Sequence, residues 1–358
     1  MILVGAKPST DPNQHPGGQM TASLGLLEYA KSVGIELKVI DTTQSSFPVP
    51  SFRTRLRKGM LRLRELLSLR RQHDVRGCVI FSSSGFSFYE RIVVALLCRL
   101  LAIKTMLFVR SGHFMEELRA SKSRRFLAKL LLRIPTALGA QGGKWRCFYE
   151  ALGVSSQRVV VVRNWLPPAA KFSEVKSAPN TPIRFIFVGW LVAKKGLVEL
   201  LDACSSLRKR GLEFELTVIG GGDLLEFSHN YIDDHRLENC VQIVGWKSPT
   251  EVQSLLLQHD VFVLPSKAEG FPNAMLEAMA AGLPCIVSDV GSVSDSLNNG
   301  ENGFLLPTGS VSEIADAMAA YIDQPSKVAE HSAKALEILK NNHDYETNCR
   351  KLFSFFDL

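Results

Sequence analysis

A chain of 358 residues, 46% hydrophobic and 22% charged, is ordinary globular material and long enough for two domains. Seven scattered cysteines, odd in number and without a C-x-x-C, exclude a disulfide framework and a cysteine zinc site, and they point to a reducing cytosol. The net charge of +7 suits a partner carrying phosphate or an anionic membrane face, and nothing in the composition asks for nucleic acid.

The N-terminus, Met1-Ile-Leu-Val-Gly5, is too short and too uncharged for a signal peptide. Ile2–Val4 reads as a first strand, followed by a Pro- and Gly-rich loop and a helix from Thr21 to Ser32. Gly17-Gly18 lets backbone approach a ligand closely, although the loop is not a G-x-G-x-x-G. Glu36–Ile40 reads as a second strand.

From Phe52 to Arg76 the chain is strongly basic, with leucines between the arginines, and reads as one amphipathic helix. A second basic helix is expected from Leu118 to Arg133. Both patterns fit solvated helices with a core on the other face, and both fit peripheral contact with a membrane surface. The apolar run from Ile92 to Val109 is broken by Arg99 and Lys104, which argues against a membrane span.

Cys78–Ser82, Thr105–Arg110, Thr136–Ala140 and Arg158–Val162 read as further strands, with a helix from Lys144 to Leu152. Asn164-Trp-Leu-Pro-Pro168 leads into a linker between Trp165 and Asn180. The expected domains are 1–164 and 181–334, followed by a helical tail over 335–358.

In the second half Ile183–Val188 reads as a strand. It leads to Gly189-Trp-Leu-Val-Ala-Lys-Lys-Gly196 and a helix from Leu197 to Arg208. Glu215–Ile219 precedes Gly220-Gly-Gly-Asp223, and Val241–Val244 precedes Gly245-Trp246. Asp260–Leu264 is an apolar run of the buried parallel kind. After it comes Glu269-Gly-Phe-Pro-Asn273, with Asn273 as expected N-cap of a helix from Ala274 to Ala281 that carries Glu277 and stops at Gly282-Leu-Pro284. A helix N-terminus suits a phosphate. Two carboxylates eight residues apart suit the hydroxyls of two parts of one elongated ligand.

The segment E-G-F-P-N-x-x-x-E resembles the E-x7-E signature of retaining glycosyltransferases of family 4 (glycosyl transferases group 1), which have the GT-B fold. The resemblance implies an α/β protein of two doubly wound, Rossmann-like domains facing a cleft, with the tail helix crossing back to the first domain. It implies transfer of a hexose-type sugar from a nucleotide-diphosphate donor to a saccharide or lipid-linked acceptor of a surface polysaccharide or lipopolysaccharide.

Carried over residue by residue, Glu277 would bind the ribose and Glu269 would sit by the reacting sugar. Gly270, Phe271, Pro272 and Asn273 would hold the hexose and phosphates. Gly17 and Gly18 would border the donor phosphates, and Trp246 would flank the nucleobase. Gly189 and Lys195 match the family's G-R-L-x-x-x-K-G, with Lys195 on the diphosphate; Trp190 stands where the family has Arg. The family's His at the end of the Thr105 strand is also displaced, leaving Arg110 or His113 to fill that place. No D-x-D occurs, so no metal and no cofactor is expected, and the place of action is the cytoplasm, at the inner face of the membrane. A nucleotide-sugar epimerase of related fold and an inactive sugar-nucleotide-binding subunit are the alternatives.

Overall fold

The apolar runs form buried strands. A computed structural model describes residues 1–8, 18–43, 50–166, 172–176 and 178–358. The chain divides into two compact units, Met1–Pro168 with Tyr345–Leu358, and Ala169–Asp344.

The first unit holds β1 (Ile2–Gly5), β2 (Lys38–Asp41), β3 (Gly77–Ser82), β4 (Lys104–Val109), β5 (Ala137–Ala140) and β6 (Val159–Val161) in one sheet ordered β2-β1-β3-β4-β5-β6. Every neighbouring pair is parallel. Its helices are α1 (Gly18–Ser32), α2 (Phe52–Gln72), α3 (Phe86–Leu100), α4 (His113–Ala120), α5 (Lys122–Leu131) and α6 (Gly143–Ala151). Leu66, Phe88, Phe114 and Trp145 pack with Val4, Ile80 and Leu107 in one core. Leu26 and Tyr29 of α1 belong to a second core with Leu3, Val79 and Phe108, whose side chains alternate with those of the first along the same strands.

One expectation changes here. The single basic helix over 118–133 is two helices, because Ser121 interrupts it and accepts from the Arg124 N–H at 3.4 Å as the N-cap of α5. The apolar run from Ile92 to Val109 is the end of α3 and all of β4, joined by a tight turn in which Ala102 takes a φ of 57°.

The second unit repeats the plan with β7 (Ile183–Val188), β8 (Phe214–Ile219), β9 (Val241–Ile243), β10 (Val261–Leu264), β11 (Cys285–Ser288) and β12 (Gly303–Leu306), ordered β12-β11-β10-β7-β8-β9 and all parallel. Helices α7 (Leu197–Lys209), α8 (Leu225–Asp234), α9 (Pro249–Gln258), α10 (Asn273–Ala280), α11 (Val311–Asp323) and α12 (Ser326–Asn342) complete it. The chain builds outward through β8 and β9, then returns to the other side of β7 as β10. That reversal opens a crevice at the carboxyl ends of β7 and β10, where open α/β sheets take ligands.

Asp260, fully buried at the start of β10, accepts from the backbone N–H groups of Asn180 (3.1 Å) and Arg184 (2.9 Å), which fixes the approach to β7. The expected helical tail over 335–358 is also two helices. α12 stops at Asn342, and α13 (Tyr345–Ser354) belongs to the first unit. There Tyr345 Oη donates to the Gly25 carbonyl at 2.7 Å, and Phe353 packs on Tyr29 with ring centroids 5.2 Å apart. A Cβ on Gly77 would fall 2.3 Å from the Phe356 ring, so β3 needs glycine where the tail crosses it.

Because Phe353 is fully buried, Phe353→Ala should cost about 3–5 kcal/mol. Urea unfolding should show a lower midpoint at unchanged slope; a loss below about 1 kcal/mol would remove the tail from the core of this unit.

Candidate functional site

The crevice between β7 and β10 is lined by two loops tied to each other. The β7 loop turns through Ala193–Lys195 and reaches Gly196 at a φ of 74°. A Cβ there would fall 2.0 Å from the Pro265 carbonyl oxygen, so only glycine lets the β7 loop lie against the β10 loop. The Lys267 N–H donates to the Lys194 carbonyl at 2.8 Å, locking the same contact. The result is an ion pair between Lys195 Nζ and Glu269 Oε1, with side chains only 17% and 14% exposed and therefore weakly screened. Ser266 Oγ donates to the same carboxylate oxygen at 3.1 Å. Behind it, Lys267 pairs with Glu199 at the start of α7.

Gly270 and the buried Phe271 and Pro272 carry the chain from Glu269 into α10. The N-cap is Pro272 rather than the expected Asn273, which is the first helical residue. Proline has no side-chain oxygen to accept from the first turn, so the N-cap residue itself makes no side-chain capping bond. The carbonyls of Glu269 and Gly270 are backed by Gly291, whose Cβ would lie 2.5 and 2.1 Å from them, and the Ser292 N–H donates to Gly270 at 3.3 Å. Phe271 is held by the buried His343 ring, 5.1 Å away, and His343 Nε2 lies 2.6 Å from Ser296 Oγ.

Glu277 lies one turn into α10. It is half-buried, and its carboxylate has no hydrogen-bond or ion-pair partner among the described residues. Desolvation alone raises its pKa to about 7.

The β8 and β9 loops close the other side. Gly220, at a φ of 141°, presses on the Gly189 carbonyl, where a Cβ would fall at 1.8 Å. Trp190 and Trp246 meet edge to face with centroids 4.6 Å apart, and Trp246 packs over Gly221, whose Cβ would lie 2.5 Å from Nε1. The tryptophan at the expected arginine position is thus part of an aromatic pair.

In the first unit Gly18 opens α1, and Gly17 lies outside the described residues. Arg110 follows directly on β4. Its Nη2 donates to Asn164 Oδ1 at 3.2 Å, and its guanidinium lies 5.0 Å over the Phe81 ring. No carboxylate pairs with it among the described residues, and desolvation lowers its pKa to about 10, which leaves it charged at neutral pH. Asn164 Oδ1 also accepts from the buried Gln141 at 2.9 Å. His113 instead stands exposed at the start of α4, with Glu116 at 3.0 Å and Glu117 at 3.6 Å. The sequence marks Asn164 only as a turn residue and does not single out Gln141. The available signal was position, since Arg110, Gln141 and Asn164 all follow closely on strand ends.

Gly189, Lys195, Trp246, Glu269–Asn273 and Glu277 therefore gather at one edge of the second sheet. Residues 169–339 match the family of glycosyl transferases group 1. The chain is 32% identical over 209 residues to the amylovoran biosynthesis glycosyltransferase AmsK of Erwinia amylovora, covering 57% of this chain and 50% of that protein. It is 30% identical over 161 residues to an Escherichia coli UDP-Gal:alpha-D-GlcNAc-diphosphoundecaprenol alpha-1,3-galactosyltransferase, covering 44% and 39%. The chain thus spans half or less of the length of these curated relatives. Among solved structures, Anabaena HepE in complex with UDP and glucose superposes with a TM-score of 0.74 at 18% identity, covering 100% of this chain and 99% of that one. Two parallel six-stranded sheets with flanking helices are the α/β architecture of GT-B glycosyltransferases.

The raised pKa of Glu277 carries a sign for stability. Between about pH 4.5 and 7 the folded chain keeps a proton that the unfolded chain has released, so stability falls as pH rises through that window, by roughly 3 kcal/mol. Glu277→Gln should flatten the pH dependence of the melting temperature there and melt higher than the parent at pH 8. An unchanged slope would mean that the carboxylate is solvated.

Proposed function

We propose that this protein is a retaining glycosyltransferase that moves a hexose-type sugar from a nucleotide-diphosphate donor to a saccharide acceptor. The Lys195–Glu269 pair at the β7–β10 crevice, with Glu277, which has no partner among the described residues, one turn into α10, carries this reading. A diphosphate would compete with Glu269 for Lys195, because an ammonium serves a phosphate as readily as a carboxylate. Glu269, released, would then accept from hydroxyls of the sugar. Glu277 would accept from the ribose hydroxyls, recovering the hydrogen bonds that its burial denies it.

Negative charge grows on the departing phosphate in the transition state. Lys195 and the N-terminus of α10 would stabilise it in a site already arranged for that charge. The departing phosphate oxygen would take the acceptor's proton, so that attack from the same face retains the anomeric configuration without a separate base. The acceptor class follows from the relatives, one named for amylovoran biosynthesis and one for a diphosphoundecaprenol-linked saccharide. We therefore place the acceptor among growing or lipid-linked surface polysaccharides.

Calorimetry with nucleoside diphosphates and the matching nucleosides tests the assignment. Lys195→Ala should weaken the diphosphate by about tenfold to a hundredfold while leaving the nucleoside within about twofold, as expected for loss of one hydrogen bond to a charged group. Equal losses for both would remove Lys195 from the phosphate. Sugar transfer should also survive a metal chelator, since the ammonium and the helix end carry the charge; activity that disappears with chelation would contradict that assignment.

A further inference from the structure

The outer face of the first unit carries apolar side chains that its folding does not account for. On α3, Tyr89, Val93, Leu96 and Leu100 are exposed at spacings of four, three and four, a single line along the helix, and Leu100 is 76% exposed. On α2, Phe52, Leu56 and Met60 form a second line. On α5, Phe126, Leu127 and Leu130 are exposed, and Ala128 is the one buried residue of that helix.

The three helices adjoin. Phe52 meets Phe86 at 5.6 Å between centroids, and Arg62 of α2 pairs with Glu90 of α3 at 2.6 Å. Arg99 of α3 donates to the Arg133 carbonyl just past α5 at 3.3 Å.

Charge identifies what covers this face. α2, α3 and α5 carry fourteen Lys and Arg against two Glu, and Glu90 is already held between Arg62 and Arg91. These helices hold twelve net positive charges where the whole chain has seven, so the remainder of the molecule is net negative. A second copy docked on the same face would set like charge against like. A layer of anionic headgroups over hydrocarbon matches both features, taking the phenylalanines and leucines below and the arginines at the phosphates.

We propose that the outer face of α2, α3 and α5 seats the protein on an anionic lipid bilayer. The inference goes beyond the transferase reading, since lipid binding is measured without donor or acceptor. The experiment is flotation of the full chain with vesicles of phosphatidylcholine and phosphatidylglycerol in equal parts, against phosphatidylcholine alone. Partition onto the anionic vesicles should be stronger by about tenfold or more. Changing Arg53, Arg57, Arg64 and Arg124 together to Gln should remove about tenfold or more of it. Phe126→Glu with Leu130→Glu should weaken it comparably, and Val93→Glu with Leu100→Glu provides a second exposed pair should the first not fold. Equal partition onto both vesicles, or binding unchanged in the folded variants, would overturn the proposal. A dimer in light scattering that Phe126→Glu dissolves would assign the face to a second copy instead.

Discussion

The ion pair between Lys195 and Glu269 is the constraint around which the second unit is arranged. Gly196 can approach Pro265 only without a side chain, and this approach sets the ammonium on the carboxylate. Both groups are mostly shielded from water. Separating them in a site of low dielectric is costly unless each finds a new partner at the same moment. A ligand that opens the pair must therefore bring an anion for the lysine and hydrogen-bond donors for the glutamate. A diphosphate joined to a sugar meets both demands within one molecule, and neither phosphate nor free sugar does so alone.

Glu277 follows the same logic by another route. No cation pairs with it among the described residues, and its burial holds the carboxyl partly protonated near neutral pH. A folded protein keeps such a group at the expense of stability, and sites where ligands supply the missing partner are where this occurs. Arg110 in the first unit is the counterpart of opposite sign, a desolvated cation held by Asn164 and the face of Phe81, with no acid paired to it among the described residues. Among the described residues near these strand ends, Lys195 and Glu269 answer each other, while Arg110, directly after β4, and Glu277, one turn into α10, have no ion-pair partner.

The second sheet was legible in the sequence because its strands are buried on both faces and so read as unbroken apolar runs, as at Val261–Leu264. The loops were legible because they demand particular residues. Gly196 and Gly220 each lie where a Cβ would strike a neighbouring backbone, and those glycines mark the edge of the site. Helix boundaries were less so. Nothing in the periodicity over 118–133 separates α4 from α5, since the break is a single serine cap, and the tail divides at the buried His343. The helix α3 was hidden because its apolar residues run on into β4 with only the single charges Arg99 and Lys104 between them. The Arg110–Asn164–Gln141 group was hidden for a different reason: its members come from three strand ends, and only the order of the sheet makes them neighbours.

The most direct measurement is a crystal structure of the protein with whichever of UDP, GDP and ADP binds most tightly. The account predicts the diphosphate at the N-terminus of α10 with Lys195 Nζ turned from Glu269 onto a phosphate oxygen, and the ribose hydroxyls on Glu277. A nucleotide bound away from the β7–β10 crevice, with the Lys195–Glu269 pair intact beneath it, would contradict it.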